Sequence, residues 1–374
     1  MNILLEVMSV TIWFTNASQN MLIKQTTLSK IRIKFIRSKL IIVRLAEKQN
    51  DDDHVRCLLC PHSCSISRGE RGLCGVRENT GDEIRLNTYG VISGFALDPI
   101  EKKPLYHFYP GKNIISAGSY GCNLKCDFCQ NYHISQNTDA GAGHRLSPGE
   151  LVSRALKAED NIGIAYTYNE PVIWYEYVTD CARLAAGEGL KNVMVTNGYV
   201  NRQPLLQLIE LIDAFNIDLK SFDNQFYRKF TGATLKPVLD SIIEVAASGR
   251  HLEITTLIIP GLNDSADEMR REAEWIAINA GASVPLHISR YYPMYKRHEP
   301  PTPSETIWRL KEAASEYLDF VYTGNMSEPS AGADTLCPHC NATVIRRSGY
   351  RTVLTGLSND GRCLKCSELI VKYR

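Results

Sequence analysis

Three cysteines, Cys122, Cys126 and Cys129, stand in a CxxxCxxC array in the stretch GCNLKCDFCQNYHIS (121–135), with Phe128 just ahead of the third. Neighbouring thiolates at this spacing suit a metal centre that keeps one position open. A structural zinc wants four closed ligands. A cube of four irons takes one protein ligand per iron, so three cysteines leave one iron free for a small molecule. His133 offers the alternative, completing a Cys3His zinc site.

Two further cysteine groups flank this one. RCLLCPHSCSISRGERGLCGVREN carries Cys57, Cys60, Cys64 and Cys74 in a CxxCx3Cx9C array. Four thiolates can close a tetrahedral zinc site or hold a second cluster, and spacing leaves both open. His62 could replace one ligand. Near the C-terminus, CPHC (Cys337, Cys340) and CLKC (Cys363, Cys366) are two knuckles 22 residues apart, a zinc-ribbon pattern. A zinc closed by four thiolates should hold the tail together rather than catalyse. Arg346, Arg347 and Arg351, between the knuckles, are expected on the solvated surface, with contact to a partner as the alternative. Cys181 lies alone in an apolar helical pattern and reads as a small buried side chain.

The totals bound the function. The chain has 374 residues, 44% apolar and 22% charged, with a net charge of +1. That balance predicts no general attraction to nucleic acid or to an anionic membrane. No apolar run reaches the roughly 18–20 residues that span a bilayer. Twelve cysteines, mostly in pairs two or three residues apart, point to metal sites in a reducing cytosol rather than to disulfides. A cytoplasmic protein is expected. Four blocks emerge: an extension (1–53), a Cys-rich module (54–105), a large α/β body (106–330) and a Cys-rich tail (331–374). The extension reads as a poorly ordered segment or an upstream start; a targeting segment is the alternative.

Something must position these ligands. In the body, apolar strand-like runs alternate with helical patterns. NIISAGS (113–119) leads into the three cysteines, and SPGELVSRALKAE opens a helix with Ser147 as its cap and Pro148 in first place. Six or seven such units imply parallel strands with helical crossovers, an open or partial barrel of (β/α)6 type, with a doubly wound sheet as rival. In both, ligands bind at the carboxyl ends of strands. Polar groups collect there: Asn169-Glu170, Thr196-Asn197-Gly198, Asp218-Leu219-Lys220, Asn263-Asp264, and Arg290 with Tyr291 and Tyr292.

The cysteine array after a first strand, with its aromatic residue Phe128, resembles the radical S-adenosylmethionine (radical SAM) superfamily. The resemblance implies a 4Fe–4S cluster on Cys122, Cys126 and Cys129, with S-adenosylmethionine chelating the open iron and split to a 5′-deoxyadenosyl radical that abstracts hydrogen. YTYNEP (166–171) stands where the superfamily places a Gly-Gly-Glu strand end, so Glu170 is assigned to the amino group of S-adenosylmethionine. VTNGY, DLKSF and IIPGLND resemble the activating enzymes of glycyl-radical enzymes, such as those of pyruvate formate-lyase. That likeness implies Thr196, Asn197, Asp218 and Lys220 in the cofactor pocket, with Lys220 facing the cofactor carboxylate. Val195 replaces the aspartate those enzymes carry. RCLLCPHSCSI, GLCGVREN, DPIEKKPLYHFYPG, GCNLKCDFCQN and YTYNEP, in this order, resemble the AmmeMemoRadiSam system radical SAM enzymes.

These resemblances imply a radical enzyme acting on a protein or peptide, with a flavodoxin- or ferredoxin-like electron donor. Memo-type or AMMECR-type partners are implied by the second resemblance. The alternatives are a radical SAM enzyme for a small molecule or RNA, and a non-catalytic iron–sulfur and zinc scaffold. His107 and His133 flank the triad in sequence and could tune the cluster, bind substrate or pack in core or rim.

Overall fold

Each apolar run of the body is buried as a strand, and each periodic stretch that follows packs beside it as a helix. The computed structural model describes residues 45–49, 53–81, 83–138, 143–326 and 332–374; residues 1–44, most of the N-terminal extension, lie outside them. The main sheet has eight strands: β1 (Gly94–Pro99), β2 (Asn113–Gly118), β3 (Asn161–Tyr166), β4 (Lys191–Thr196), β5 (Ala214–Asp218), β6 (His251–Ile258), β7 (Leu286–Arg290) and β8 (Val321–Gly324). They lie side by side in chain order. β2 to β8 are all parallel, while β1 runs antiparallel to β2 from Gly94↔Gly118 to Pro99↔Asn113.

This order decides between the two topologies left open by the sequence. A doubly wound sheet reverses its strand order partway. Here the order never reverses, and among the described residues its ends, β1 and β8, do not pair. Six crossovers therefore make an open (β/α)6-type barrel with a closing strand. The main crossover helices are α1 (Pro148–Lys157), α2 (Tyr175–Gly187), α3 (Arg202–Leu211), α4 (Lys236–Ala247), α5 (Ala266–Asn279) and α6 (Ser304–Ser315). The strands are buried on both faces, as parallel strands under helices must be. α1 begins as expected: Ser147 Oγ accepts from the Glu150 N–H and the Glu150 carboxylate accepts from the Ser147 N–H, with Pro148 in the first turn.

The first Cys-rich segment pairs its strands His54–Cys57 and Ser65–Ser67 with Ala46–Lys48, from the end of the extension, in a three-stranded antiparallel sheet. It sits beside the carboxyl end of β4. Asn201 Nδ2 donates to the carbonyls of Leu58 (2.7 Å) and Cys60 (3.2 Å). Arg77 grips Glu176 of α2 with two bonds, 2.9 and 2.7 Å long. β1, which falls within this block along the chain, joins the barrel sheet instead.

The tail closes the opposite end. Its strands β9 (Thr335–Leu336), β10 (Thr343–Ser348) and β11 (Arg351–Leu354) form an antiparallel sheet. Phe320 and Tyr322 at the start of β8 share a hydrophobic cluster with Tyr106, Val344, Ile345 and Ile370. Arg347 is not on the surface. It is 2% exposed, and donates to the carbonyls of Tyr106 (2.7 Å) and Ala333 (3.0 Å). His107 also lies at this end, away from the triad: its ring bonds to the Tyr322 hydroxyl (2.6 Å) and the Ile370 carbonyl (3.1 Å). Of the roles open to His107, core packing is the one it fills. No helix among the described residues is long and apolar enough to cross a membrane.

Candidate functional site

The triad occupies the loop after β2, at the carboxyl end of the sheet. Cys126 is buried, and Cys122 and Cys129 are half-buried. Burial pushes the Cys126 thiol up to about 12, against the opposing pull of Lys220. Burial, then Glu170, raises Cys122 well above an ordinary thiol. Thiols held this way stay protonated until a cation displaces the proton. Among the described residues, the triad thiols do not belong to any group of three or more ligand atoms that all lie within 4.8 Å of one another. Thiolates so separated fit three corners of a cube better than one ion. His133 is exposed on the short helix Tyr132–Ser135 and joins no such group.

The loop is held at many points. Asn169, after β3, accepts from the Ser119 N–H (3.0 Å) and donates to the Tyr120 (3.3 Å) and Gly121 (3.0 Å) carbonyls. Asn131 donates to the Tyr168 carbonyl (2.7 Å) and Ser135 Oγ lies 3.1 Å from Cys129 Sγ. The Lys125 N–H donates to the Thr231 carbonyl at 2.8 Å. Asp127 pairs with Arg297 at 2.9 Å, and that guanidinium lies over the Phe230 ring. Phe128 is 3% exposed and packs toward Phe226. Apart from Phe128 and Asn169, none of these anchors stands out in the sequence. Asn169 carries its signal as the neighbour of Glu170 at a strand end.

Glu170 is a brace as well as a candidate ligand. Oε1 accepts from the Val172 N–H (2.9 Å) and the Thr196 hydroxyl (2.7 Å), and Oε2 from the Asn197 N–H (2.7 Å). A carboxylate offers about four acceptor positions, so one on Oε2 stays uncommitted. Burial pushes its carboxyl up to about 7, although these donors favour the ionised form. Asn197 Nδ2 donates to Asn123 Oδ1 (2.9 Å) and approaches Cys122 Sγ at 3.7 Å. Thr196 and Asn197 thus tie β4 to both Glu170 and the triad. Tyr168 holds φ at 74°, a left-handed conformation that costs a side chain, where the superfamily pattern has glycine. Its hydroxyl donates to Asp98 at 2.7 Å, which offsets that strain.

Across the mouth, Lys220 Nζ and Asp218 form an ion pair of 2.8 Å at the end of β5. Burial works against the Lys220 ammonium. Asp218 first, then Cys126 and Cys129, outweigh it and hold its pKa above the usual lysine value. A cation here stabilises the ionised triad and any anionic group beside it. The structure therefore brings Glu170, Thr196 and Asn197 together with Cys122, and Asp218 with Lys220 and Cys126. On β6, the Thr255 hydroxyl donates to Asn216 Oδ1 at 3.0 Å. The Tyr292 hydroxyl donates to the Asn325 carbonyl (3.1 Å).

At the far end, the tail thiols of Cys337, Cys340, Cys363 and Cys366 all lie within 4.8 Å of one another and could hold one metal ion. Asn341 and Ser367, each following the second cysteine of its knuckle, both have positive φ, so the two turns repeat one geometry.

Comparison with known proteins gives the same direction. A family model for the radical SAM superfamily matches residues 117–273. Over 324 residues the chain is 40% identical to "Uncharacterized protein MJ0808" of Methanocaldococcus jannaschii, covering 86% of this chain and 96% of that one. It is 24% identical over 162 residues to the pyruvate formate-lyase 1-activating enzyme of Escherichia coli K12, covering 41% of this chain and 65% of that one. To the pyruvate formate-lyase-activating enzyme of Clostridium pasteurianum it is 25% identical over 163 residues, covering 42% and 66%.

Proposed function

The chain belongs to the radical SAM superfamily, in one family with MJ0808, and from that premise we propose that it is an activating-enzyme-like radical enzyme. Its substrate on this reading is a protein or peptide, reached at the carboxyl end of the barrel. When bound to Cys122, Cys126 and Cys129, a 4Fe–4S cluster supplies the electron that splits S-adenosylmethionine into methionine and a 5′-deoxyadenosyl radical. The chain's own residues do the rest. Lys220, kept charged by Asp218, faces the cofactor carboxylate. The uncommitted position on Glu170 Oε2 accepts from the cofactor amino group. Thr196 and Asn197 hold the Glu170 carboxylate in place, and Phe128, packed under the loop, fixes the turn that carries Cys129.

The observation that carries this reading is the triad at the end of the first parallel strand, with a cation and a braced carboxylate on neighbouring strand ends. A metal scaffold would not need either group there. The AmmeMemoRadiSam assignment, an electron donor of flavodoxin or ferredoxin type, and a partner of Memo or AMMECR type belong to the same proposal. So does zinc in the tail: thiol pairs 3.4 and 3.6 Å apart suit the edge of about 3.8 Å expected from Zn–S bonds of about 2.3 Å. The test is anaerobic iron reconstitution, then S-adenosylmethionine and dithionite, with 5′-deoxyadenosine measured. Cys126→Ala should abolish cleavage and leave the tail metal bound. Equal cleavage by the variant removes the cluster assignment.

A further inference from the structure

We propose that Cys57, Cys60, Cys64 and Cys74 hold a second 4Fe–4S cluster rather than zinc, seated against the triad loop. The neighbour relation rests on the triad reading above; the second cluster does not. Thiol spacing separates the two kinds of site. The tail thiols crowd together as ligands of one ion do. No three thiols of the first module lie within that 4.8 Å limit. Yet all four line one pocket, together with Leu59, His62, Ile66, Arg77, Asn123 and Ile173. Four thiols on the walls of a shared pocket, but farther apart than one ion allows, suit a cube in which each thiolate has its own iron.

The rest of the lining agrees. Leu59, Ile66 and Ile173 are at most 2% exposed, so the pocket floor is dry. His62 commits Nε2 to the Asn123 carbonyl at 2.8 Å, and its ring joins no group of three or more ligand atoms within 4.8 Å of one another among the described residues. Arg77 is 2% exposed and pairs with Glu176 through its two terminal nitrogens, but its Nε–H meets no protein acceptor. A buried donor without a partner is costly. Sulfide or thiolate of an anionic cluster would accept from it.

The two cysteine sites touch. Gly121, just before Cys122, lies so close to the Cys74 carbonyl that a Cβ would stand 2.6 Å from it. Asn123 lines the pocket and also bonds to Asn197, beside Cys122. The second cluster would therefore sit within a residue or two of the first.

The test uses the full chain, reconstituted anaerobically with iron and sulfide and assayed for iron, acid-labile sulfide and zinc. Wild type should hold about eight irons, eight sulfides and one zinc. The triad variant, Cys122→Ala with Cys126→Ala and Cys129→Ala, should keep about four irons and four sulfides and a low-temperature EPR signal on reduction. Cys60→Ala with Cys64→Ala should keep the other set. Because the sites adjoin, the EPR spectrum of reduced wild type should differ from the sum of the two variants. Four irons with two zincs in wild type, or zinc in place of iron in the triad variant, overturns the proposal; the wild-type count decides even if a variant fails to fold. Eight irons without cleavage of S-adenosylmethionine would instead overturn the functional reading and leave the second cluster standing.

Discussion

At the scale of single residues, the site depends on groups that do no chemistry. Gly121 is the sharpest case. Its φ is 81°, and its open side faces the Cys74 carbonyl. A side chain there meets both a conformational cost of about 1–2 kcal/mol and a backbone clash. Gly121→Ala should lower the denaturation midpoint and reduce the iron bound after reconstitution. A variant with unchanged midpoint and full iron would show that the loop and the first module are not in contact. Glu170 is the complementary case. Its three donors come from two strand ends, so its loss would loosen both.

At the scale of elements, α5 packs a carboxyl where a carboxylate is unwelcome. Glu272 is 1% exposed, and burial pushes its carboxyl up to about 8, despite the Thr256 hydroxyl that donates to it from β6. Unfolded, the group titrates near its ordinary value of 4.5. Between these values the native chain binds a proton that the unfolded chain has released. Stability from this group is therefore lost as pH rises from about 4.5 to 8, with a slope of at most about 1.4 kcal/mol per pH unit. Glu272→Gln should flatten the decline, measured as urea midpoints from pH 5 to 8. Equal slopes in both proteins would mean that Glu272 is ionised in the fold.

At the scale of the whole molecule, the tail is part of the barrel's closure. Glu253 in β6 accepts from the N–H groups of Tyr106 (2.9 Å) and His107 (2.7 Å), which lays that segment across the strand starts. Arg347 and the Ile370 carbonyl then hold it from outside. The Tyr109 N–H donates to the Tyr373 carbonyl at 3.0 Å. Arg347→Ala removes the cation beside Glu101, which keeps the Gly111 N–H and the Thr352 hydroxyl as donors, and leaves the buried Tyr106 carbonyl without its guanidinium donor, a loss of about 1–3 kcal/mol. Thermal unfolding should show one transition shifted down, not a separate melting of the tail. Likewise, a chelator that strips the tail metal should lower the melting temperature of the barrel. A barrel transition unmoved by either treatment would make the tail a separate body.

Much of this molecule is legible in the chain alone. Ligand identity is a local property: CxxxCxxC and the paired CxxC knuckles declare themselves within a few residues. So do the strands and helices, because apolar periodicity and the Ser147–Glu150 cap act over one or two turns. Periodicity narrows the parallel body to two topologies, and only the pairing of strands chooses between them. What tertiary structure alone decided are contacts between distant segments. Arg347 looks like a surface residue until the barrel floor is laid beneath it, and His107 looks like a neighbour of the triad until β2 carries the chain to the other end. The place of the first cysteine module beside Gly121 is of the same kind. A side chain's burial and partners depend on what the fold brings against it, and no local pattern records that.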